Sequence, residues 1–130
     1  MLKLENIVAG YGHITALKDI SLEVPQGSIV SLIGANGAGK STTMKTIMGL
    51  VKPTSGKVLF EGQDITGHKT HQIVHNGISL VPEGRQILQD MSVYENLEMG
   101  AYIRNDKEIE ADIKKVFKRF PILDERSYQL

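Results

Sequence analysis

The stretch of sequence that decides the fold is Ser31-Leu32-Ile33-Gly34-Ala35-Asn36-Gly37-Ala38-Gly39-Lys40-Ser41-Thr42. It fits the pattern Gly-x-x-x-x-Gly-Lys-Ser/Thr without a gap or a substitution. A loop that wraps polyphosphate turns its backbone N–H groups inward, and this requires residues without a Cβ at crowded or positive-φ positions. Gly34, Gly37 and Gly39 meet that requirement, so the stretch predicts a phosphate-binding loop.

The residues that flank this loop agree with that interpretation. The apolar run 29–33 predicts a strand that leads into the loop, and a helical pattern begins at Lys40. A helix in this position points its positive dipole end at the bound anion. We therefore expect Lys40 to reach the β- and γ-phosphates of a nucleotide and the hydroxyl of Ser41 to hold Mg²⁺.

Composition places the chain among ordinary single soluble domains. It has 130 residues, 41% hydrophobic and 23% charged, and its 15 basic and 15 acidic side chains balance to a formal charge of zero. Without a basic excess there is no electrostatic signal for nucleic acid, so none is expected as a partner. The absence of cysteine excludes disulfides and thiolate chemistry, and neither a signal peptide nor a long apolar run is visible.

Apolar periodicity and turn residues predict the remaining elements. Strands are expected at 2–8, 16–24, 28–33, 57–60 and 78–81, and helices at 40–50, 69–76, 92–102 and 106–120. Gly77 is expected to end the second helix in a left-handed conformation. Ser92 with Glu95, and Asn105 with Glu108, have the spacing of capping boxes.

Three histidines invite a metal interpretation. His68, His71 and His75 have ligand-like spacing, and the last two lie on one helix face. No cysteine or acidic side chain completes the set, so an exposed helix with polar histidines is favoured.

Over its whole length the chain resembles the ATP-binding subunits of ABC transporters, and in particular those of branched-chain amino acid importers. The resemblance rests on Tyr11, on the loop GANGAGKST, and on the tracts LVKPTSGKVLFEGQDIT and GISLVPEGRQILQDMSVYENLEMGAY. It implies an α/β phosphate-loop core of the ABC ATPase type with an N-terminal antiparallel β subdomain in residues 1–87. Residues 88–130 would be the start of a helical subdomain.

The resemblance also implies site residues and cofactors. Tyr11 would stack on the adenine of ATP, residues 34–42 would cradle its phosphates, and Lys40 would serve catalysis. Most members of this family carry a glutamine at the position of Glu83. The carboxylate of Glu83 is still a hard oxygen donor that could join Ser41 in holding Mg²⁺.

The partners implied by the family are proteins. Permease subunits would span the membrane, and the segment from Leu88 to about Tyr102 resembles the part that meets them. A second ATP-binding subunit would form a homo- or heterodimer, and a solute-binding protein would act indirectly. The chain is then expected in the cytoplasm, peripheral on the inner face of the cell membrane.

Hydrolysis in this family also needs a signature like LSGGQ, an aspartate at the end of an apolar strand, a glutamate after it and a later histidine. None of these occurs in the 130 residues. The run 121–125 ends in Asp-Glu, but its proline would interrupt a central strand, so it is not that motif. We expect a chain that stops before the signature, binds nucleotide without hydrolysing it, and associates with itself through unpaired strand edges.

Three alternatives stay open at this stage. One is an ABC ATPase that serves another transporter or a soluble task. Another is a nucleotide-binding module that never turns over. The third is a phosphate-loop kinase, although only scattered arginines are available for the lid that it would need.

Overall fold

A computed structural model describes all 130 residues of the chain. The chain divides into two compact units, Met1–Val81 and Pro82–Leu130. The first unit contains every β-strand and the phosphate-loop sequence, and the second is helical. Each unit is described by itself.

The first unit is built on a four-stranded antiparallel sheet in the order β2-β1-β3-β4. Its strands are β1 (Leu2–Tyr11), β2 (Ile14–Val24), β3 (Ser55–Phe60) and β4 (Gln63–Asp64). This sheet confirms the predicted antiparallel subdomain. Strands β1 and β2 form a hairpin in which Leu2 lies opposite Val24 and Tyr11 lies opposite Ile14.

Two helices cover the buried face of this sheet. They are α1 (Lys40–Ile47) and α2 (Thr70–His75), and Gly77 follows α2 with a φ of 99°, as predicted. One apolar core joins the sheet to both helices, because its members come from three strands, from α1 and α2, and from the segments that follow α1 and β4. The core residues are Leu4, Ile7, Ala9, Leu17, Ile47, Met48, Val51, Val58, Ile65 and Ile73.

The predicted strands at 28–33 and 78–81 are wrong for this structure. Neither segment has regular secondary structure, and neither belongs to the sheet. A strand exists only when a neighbouring strand accepts and donates its backbone hydrogen bonds, and these two segments have no such neighbour. Both segments still border an apolar cavity of about 240 Å³ that residues of the sheet and α1 also line, Val30 and Leu32 from the first segment and residues 78–80 from the second.

The second unit contains α3 (Val93–Gly100), α4 (Ile109–Arg119) and α5 (Pro121–Glu125). Tyr94 of α3 and Phe117 of α4 hold their rings 6.4 Å apart, and Ile113 is buried. The run 121–125 is a short helix that begins with proline, so the prediction that it is not a central strand is confirmed.

Of the two predicted capping boxes, one is confirmed. The Ser92 hydroxyl accepts from the backbone N–H of Glu95, while the Glu95 carboxylate accepts from the Ser92 N–H at 2.8 Å. The box predicted at Asn105 is wrong, because α4 begins at Ile109 and its preceding residue Glu108 donates its N–H to the carboxylate of Asp106.

No helix in either unit has the length and apolar character that a membrane span requires.

Candidate nucleotide-binding site

The three glycines of the phosphate-loop sequence stand where a side chain would be strained or crowded. Gly37 and Gly39 have φ angles of 83° and 91°, which L-residues rarely adopt. Gly34 has an ordinary φ, but a Cβ there would lie 3.1 Å from the Cβ of Ala38. Gly39 is also crowded, since its Cβ would lie 2.7 Å from Leu17 Cδ2 and 3.1 Å from the carbonyl oxygen of Ala16. Strand β2 therefore packs directly against the end of the loop.

Helix α1 begins directly after Gly39, as the sequence predicts. The Thr43 hydroxyl donates to the carbonyl of Gly39 at 2.9 Å, and the Thr43 N–H donates to the same oxygen at 2.8 Å. Thr42, Thr43 and Thr46 are buried, so the first turns of α1 are anchored in the core. The first turn has no acidic side chain, which leaves the positive end of the helix dipole available to an external anion.

The ammonium of Lys40 lies over the loop that precedes it. Lys40 Nζ donates to the carbonyl oxygens of Gly34 and Ala35 at 2.7 and 2.8 Å. The loop itself closes with a turn in which the Ala38 N–H donates to the Ala35 carbonyl at 3.1 Å. Lys40 thus holds its positive charge against the glycine loop, beside the N-terminus of α1.

Tyr11 is the last residue of β1, next to the two-residue turn Gly12-His13. The residue is 47% exposed. The ammonium of Lys45, in the last turn of α1, lies 5.9 Å from the ring centroid. The structure therefore brings Tyr11 to the helix that follows the phosphate loop. The contact with Lys45 has no signal in the sequence, because a hairpin tip and a helix residue 34 positions apart share no pattern.

Glu83 lies in the second unit, in an exposed loop between Val81 and α3. The three residues after it, Gly84, Arg85 and Gln86, all have positive φ angles, of 79°, 65° and 44°. Because Ser41 belongs to the first unit, the joint use of Ser41 and Glu83 as metal ligands stays a prediction.

No three His, Cys, Asp or Glu side chains come together as a metal-binding group, so His68, His71 and His75 form none.

The carboxylates whose pKa values are lowered have structural partners. Hydrogen bonds from Thr66 lower the pKa of Asp64 in a turn of the first unit. Hydrogen bonds from Ser92 lower the pKa of Glu95 at the start of α3. These two carboxylates belong to a turn and a helix cap, so neither of them marks a catalytic centre.

Solved structures with this fold define the class of protein. The chain matches an ATP-binding cassette of an ABC transporter, MJ1267, with a TM-score of 0.79 and 32% sequence identity, over 99% of this chain and 56% of that one. The fold of the 130 residues is therefore that of about half of an ATP-binding cassette.

The family follows from sequence comparison. Residues 17–130 match the model of the ABC transporter family. The chain is 41% identical, over 129 residues, to the high-affinity branched-chain amino acid transport ATP-binding protein BraG of Pseudomonas aeruginosa, covering 99% of this chain and 55% of BraG. It is 38% identical, over 106 residues, to the lipopolysaccharide export system ATP-binding protein LptB of Haemophilus influenzae, covering 82% of this chain and 44% of LptB. The chain belongs to the ABC transporter family, and it spans about half the length of these relatives.

Proposed function

We propose that the chain binds ATP with Mg²⁺ through the loop 34–42 and that Tyr11 stacks on the adenine. The observation that carries this proposal is the position of Lys40, whose ammonium holds two loop carbonyls at 2.7 and 2.8 Å beside the N-terminus of α1. Oxygens of a phosphate would compete with these carbonyls for the same charge. The fold and family support this assignment.

The proposed site divides its tasks among a few residues. Backbone N–H groups of the loop cradle the phosphates, Lys40 neutralises the γ-phosphate, and Tyr11 offers an aromatic face to the base. Mg²⁺, when bound, offsets phosphate charge. The hydroxyl of Ser41 and the carboxylate of Glu83 are hard oxygen donors of the kind that would hold it alongside phosphate oxygens. We propose residues 1–87 as the nucleotide-binding part and residues 88–130 as helical subdomain.

Equilibrium titration of MgATP into the 130-residue chain tests the phosphate site. Lys40→Met removes the ammonium but keeps the stem, and we expect affinity to fall about ten- to a hundredfold, as for the loss of a charged hydrogen bond of roughly 1.5–3 kcal/mol. Lys107→Met is the matched control, because Lys107 is an exposed lysine of the second unit. Equal losses in both variants, or no binding by the unaltered chain, would refute the proposal.

We also propose that this chain holds ATP without turning it over. Phosphoryl transfer to water needs a group that positions the water and charge that stabilises the transition state, besides a phosphate cradle. The 130 residues contain none of the family motifs that supply these groups. Phosphate release under MgATP should therefore stay at the level of a Lys40→Met control, and robust release that Lys40→Met abolishes would contradict the proposal.

For the whole protein, we propose an ATP-driven transport role in which it dimerises with a second ATP-binding subunit and docks on permease subunits at the inner face of the membrane. The identity to BraG over nearly the whole chain supports import of branched-chain amino acids, with a solute-binding protein as the indirect partner. The similarity to LptB favours a second candidate, service to a lipopolysaccharide export system.

A binding experiment separates the two candidates. The chain is immobilised and exposed to detergent-solubilised permease subunits of a branched-chain amino acid importer and, in parallel, to those of a lipopolysaccharide exporter. Retention of the importer subunits alone supports the first candidate. Retention of the exporter subunits alone would replace it with the second.

A further inference from the structure

We propose that Lys45 is a positioning residue for the nucleobase: its ammonium holds the Tyr11 ring from one face, so that a purine stacks on the opposite face. The inference rests on the proposed function, because it concerns the base end of the same site. It begins from the 5.9 Å separation between Lys45 Nζ and the Tyr11 ring centroid.

The backbone of Tyr11 is fixed more firmly than its ring. Tyr11 pairs with Ile14 at the tip of the β1–β2 hairpin, and Gly10 lets the strands approach closely, since a Cβ there would lie only 1.9 Å from the Ile14 carbonyl oxygen. The residue as a whole, in contrast, is 47% exposed. A partner that selects one ring orientation therefore prepares the stacking surface before a base arrives.

Lys45 is placed to act on the ring and not on the phosphates. It lies five residues beyond Lys40, which puts it about 7 Å further along the helix axis, on a different face. The C-terminal end of a helix favours a cation, and Lys45 occupies the last turn of α1. Lys45 takes part in no ion pair of the first unit, where Lys3 and Glu5 form one.

A cation over one face of an aromatic ring leaves the other face available to a planar group. The ammonium is attracted by the negative face of the ring, and a base on the other face adds stacking that tolerates any purine. The two contacts share one ring, so they should be coupled. Removing the Lys45 ammonium should then lower the affinity for nucleotide, and only in a chain that keeps Tyr11.

The first experiment titrates the 130-residue chain with MgATP and, separately, with magnesium tripolyphosphate, which has phosphates but no base. We expect Lys45→Met to weaken ATP binding about two- to fivefold, the size of an exposed cation–π contact, and to leave tripolyphosphate binding unchanged. Lys45→Arg should restore ATP affinity, because a guanidinium also stacks on tyrosine. Lys107→Met controls for the loss of one positive charge.

The outcomes separate this inference from the proposed function. If the unaltered chain binds neither ligand, the proposed function fails and the inference fails with it. If the chain binds both, but Lys45→Met weakens ATP and tripolyphosphate equally, Lys45 is a phosphate contact and only the inference is overturned. The inference is likewise overturned, and the proposed function kept, if Lys45→Met changes neither affinity.

A double-mutant cycle and a spectroscopic signal test the coupling. In a Tyr11→Leu background, Lys45→Met should have no further effect on ATP affinity, whereas an undiminished effect would contradict the inference. The chain has no tryptophan, so Tyr11→Trp introduces a single indole whose fluorescence reports a stacked base. ATP should quench that emission and tripolyphosphate should not, and Lys45→Met should reduce the affinity read from the quench.

Discussion

At the scale of single residues, the phosphate loop depends on what its glycines lack. Gly37 and Gly39 share a left-handed backbone, but their surroundings differ. A Cβ on Gly37 would meet nothing within 4 Å, whereas one on Gly39 would press on Leu17 and Ala16 of β2. The two positions therefore separate the cost of backbone conformation from the cost of a steric clash.

This difference predicts a ranking of two alanine substitutions. Gly37→Ala should cost about 1–2 kcal/mol of unfolding free energy, the usual penalty for a left-handed L-residue. Gly39→Ala should lower the unfolding free energy by at least about 1 kcal/mol more than Gly37→Ala does, because the backbone oxygen of Ala16 cannot move aside as a side chain can. Urea unfolding monitored by circular dichroism measures both, and equal losses would contradict the packing of β2 against the loop.

The residues of the loop were predictable from sequence because its geometry is local. The left-handed φ angles of Gly37 and Gly39 and the contacts of Lys40 with the loop carbonyls arise within ten consecutive positions. The crowding of Gly39 by strand β2 is the non-local part, and the sequence pattern does not show it. The Lys45 contact with Tyr11 was not predictable, since it depends on how the hairpin and α1 pack in three dimensions. Only the family resemblance points to Tyr11, and its stacking role stays a prediction.

At the scale of elements, the turn before α4 is organised by ionic contacts. Arg104 donates to both oxygens of Asp106 at 2.7 Å and to Asp112 of α4 at 2.7 Å. The carboxylate of Asp106 also accepts the backbone N–H of Glu108 at the start of the helix. The hydrogen bonds from Arg104 are the main reason that the pKa of Asp106 is lowered from its ordinary 3.8 to about 2.

The lowered pKa of Asp106 predicts an acid-dependent contribution to stability. Because the folded-state pKa lies below the unfolded value, this contribution is fully present above about pH 4 and is lost as pH falls from about 4 to about 2. Arg104→Met should therefore lower the urea midpoint at pH 6, and the difference from the unaltered chain should shrink toward pH 2.

The control for this acid series is Lys114→Met. Lys114 pairs with Glu110 across one helix turn, but the two side chains are 72% and 71% exposed, and pairs of this kind contribute little. We expect its urea midpoint to stay near that of the unaltered chain. A pH-independent deficit in Arg104→Met would mean that its stem, and not the ion pair, stabilises the turn.

Asn96 of α3 anchors the loop that precedes the helix. Its amide oxygen accepts the N–H of Leu88, and its amide nitrogen donates to the carbonyls of Leu88, Met91 and Ser92. Asn96→Asp replaces the amide donor with an anion that faces three carbonyl oxygens. We therefore expect the free energy of unfolding to fall by about 1–3 kcal/mol, and proteolysis within 88–92 to become faster. Asn105→Asp makes the same chemical change at an exposed position and should cost much less. Equal effects would contradict the anchoring role.

The sequence predicts a helix or strand correctly where its signal lies within a few consecutive residues. It fails where the element depends on a neighbouring strand or side chain. The Ser92–Glu95 box needs only four residues, and it formed as predicted. Asn105 has the same spacing to Glu108, yet Arg104 orients Asp106 and that carboxylate takes the N–H. The segments 28–33 and 78–81 have strand composition, but composition does not supply a pairing partner.

At the scale of the whole molecule, large apolar side chains remain on the surface. Ile29, Ile33 and Val81 are 97%, 95% and 92% exposed, and they belong to the two segments that were predicted as strands. Extended apolar segments with unpaired backbone groups are templates for pairing with another chain. Soluble monomers rarely tolerate such surfaces.

We therefore predict that the 130-residue chain associates with itself through residues 28–33. Multi-angle light scattering should show a mean mass that rises with concentration. The double substitution Ile29→Lys and Ile33→Lys should bring it toward the monomer value, because inward or edge charges oppose strand pairing. The control is Tyr128→Lys, which alters a similarly exposed large side chain of the second unit. We expect this substitution to leave the mean mass unchanged. A monomer at all concentrations would contradict the prediction.

The most direct test of nucleotide binding at this loop is to map the site at residue resolution. Backbone amide signals of the isotope-labelled chain are recorded by NMR while MgATP is added. The proposed site predicts that the largest shifts fall on the amides of residues 34–42 and Tyr11, and that Lys40→Met greatly reduces them. Shifts centred on Tyr94 and Phe117 of the second unit, or unaltered shifts in Lys40→Met, would contradict it.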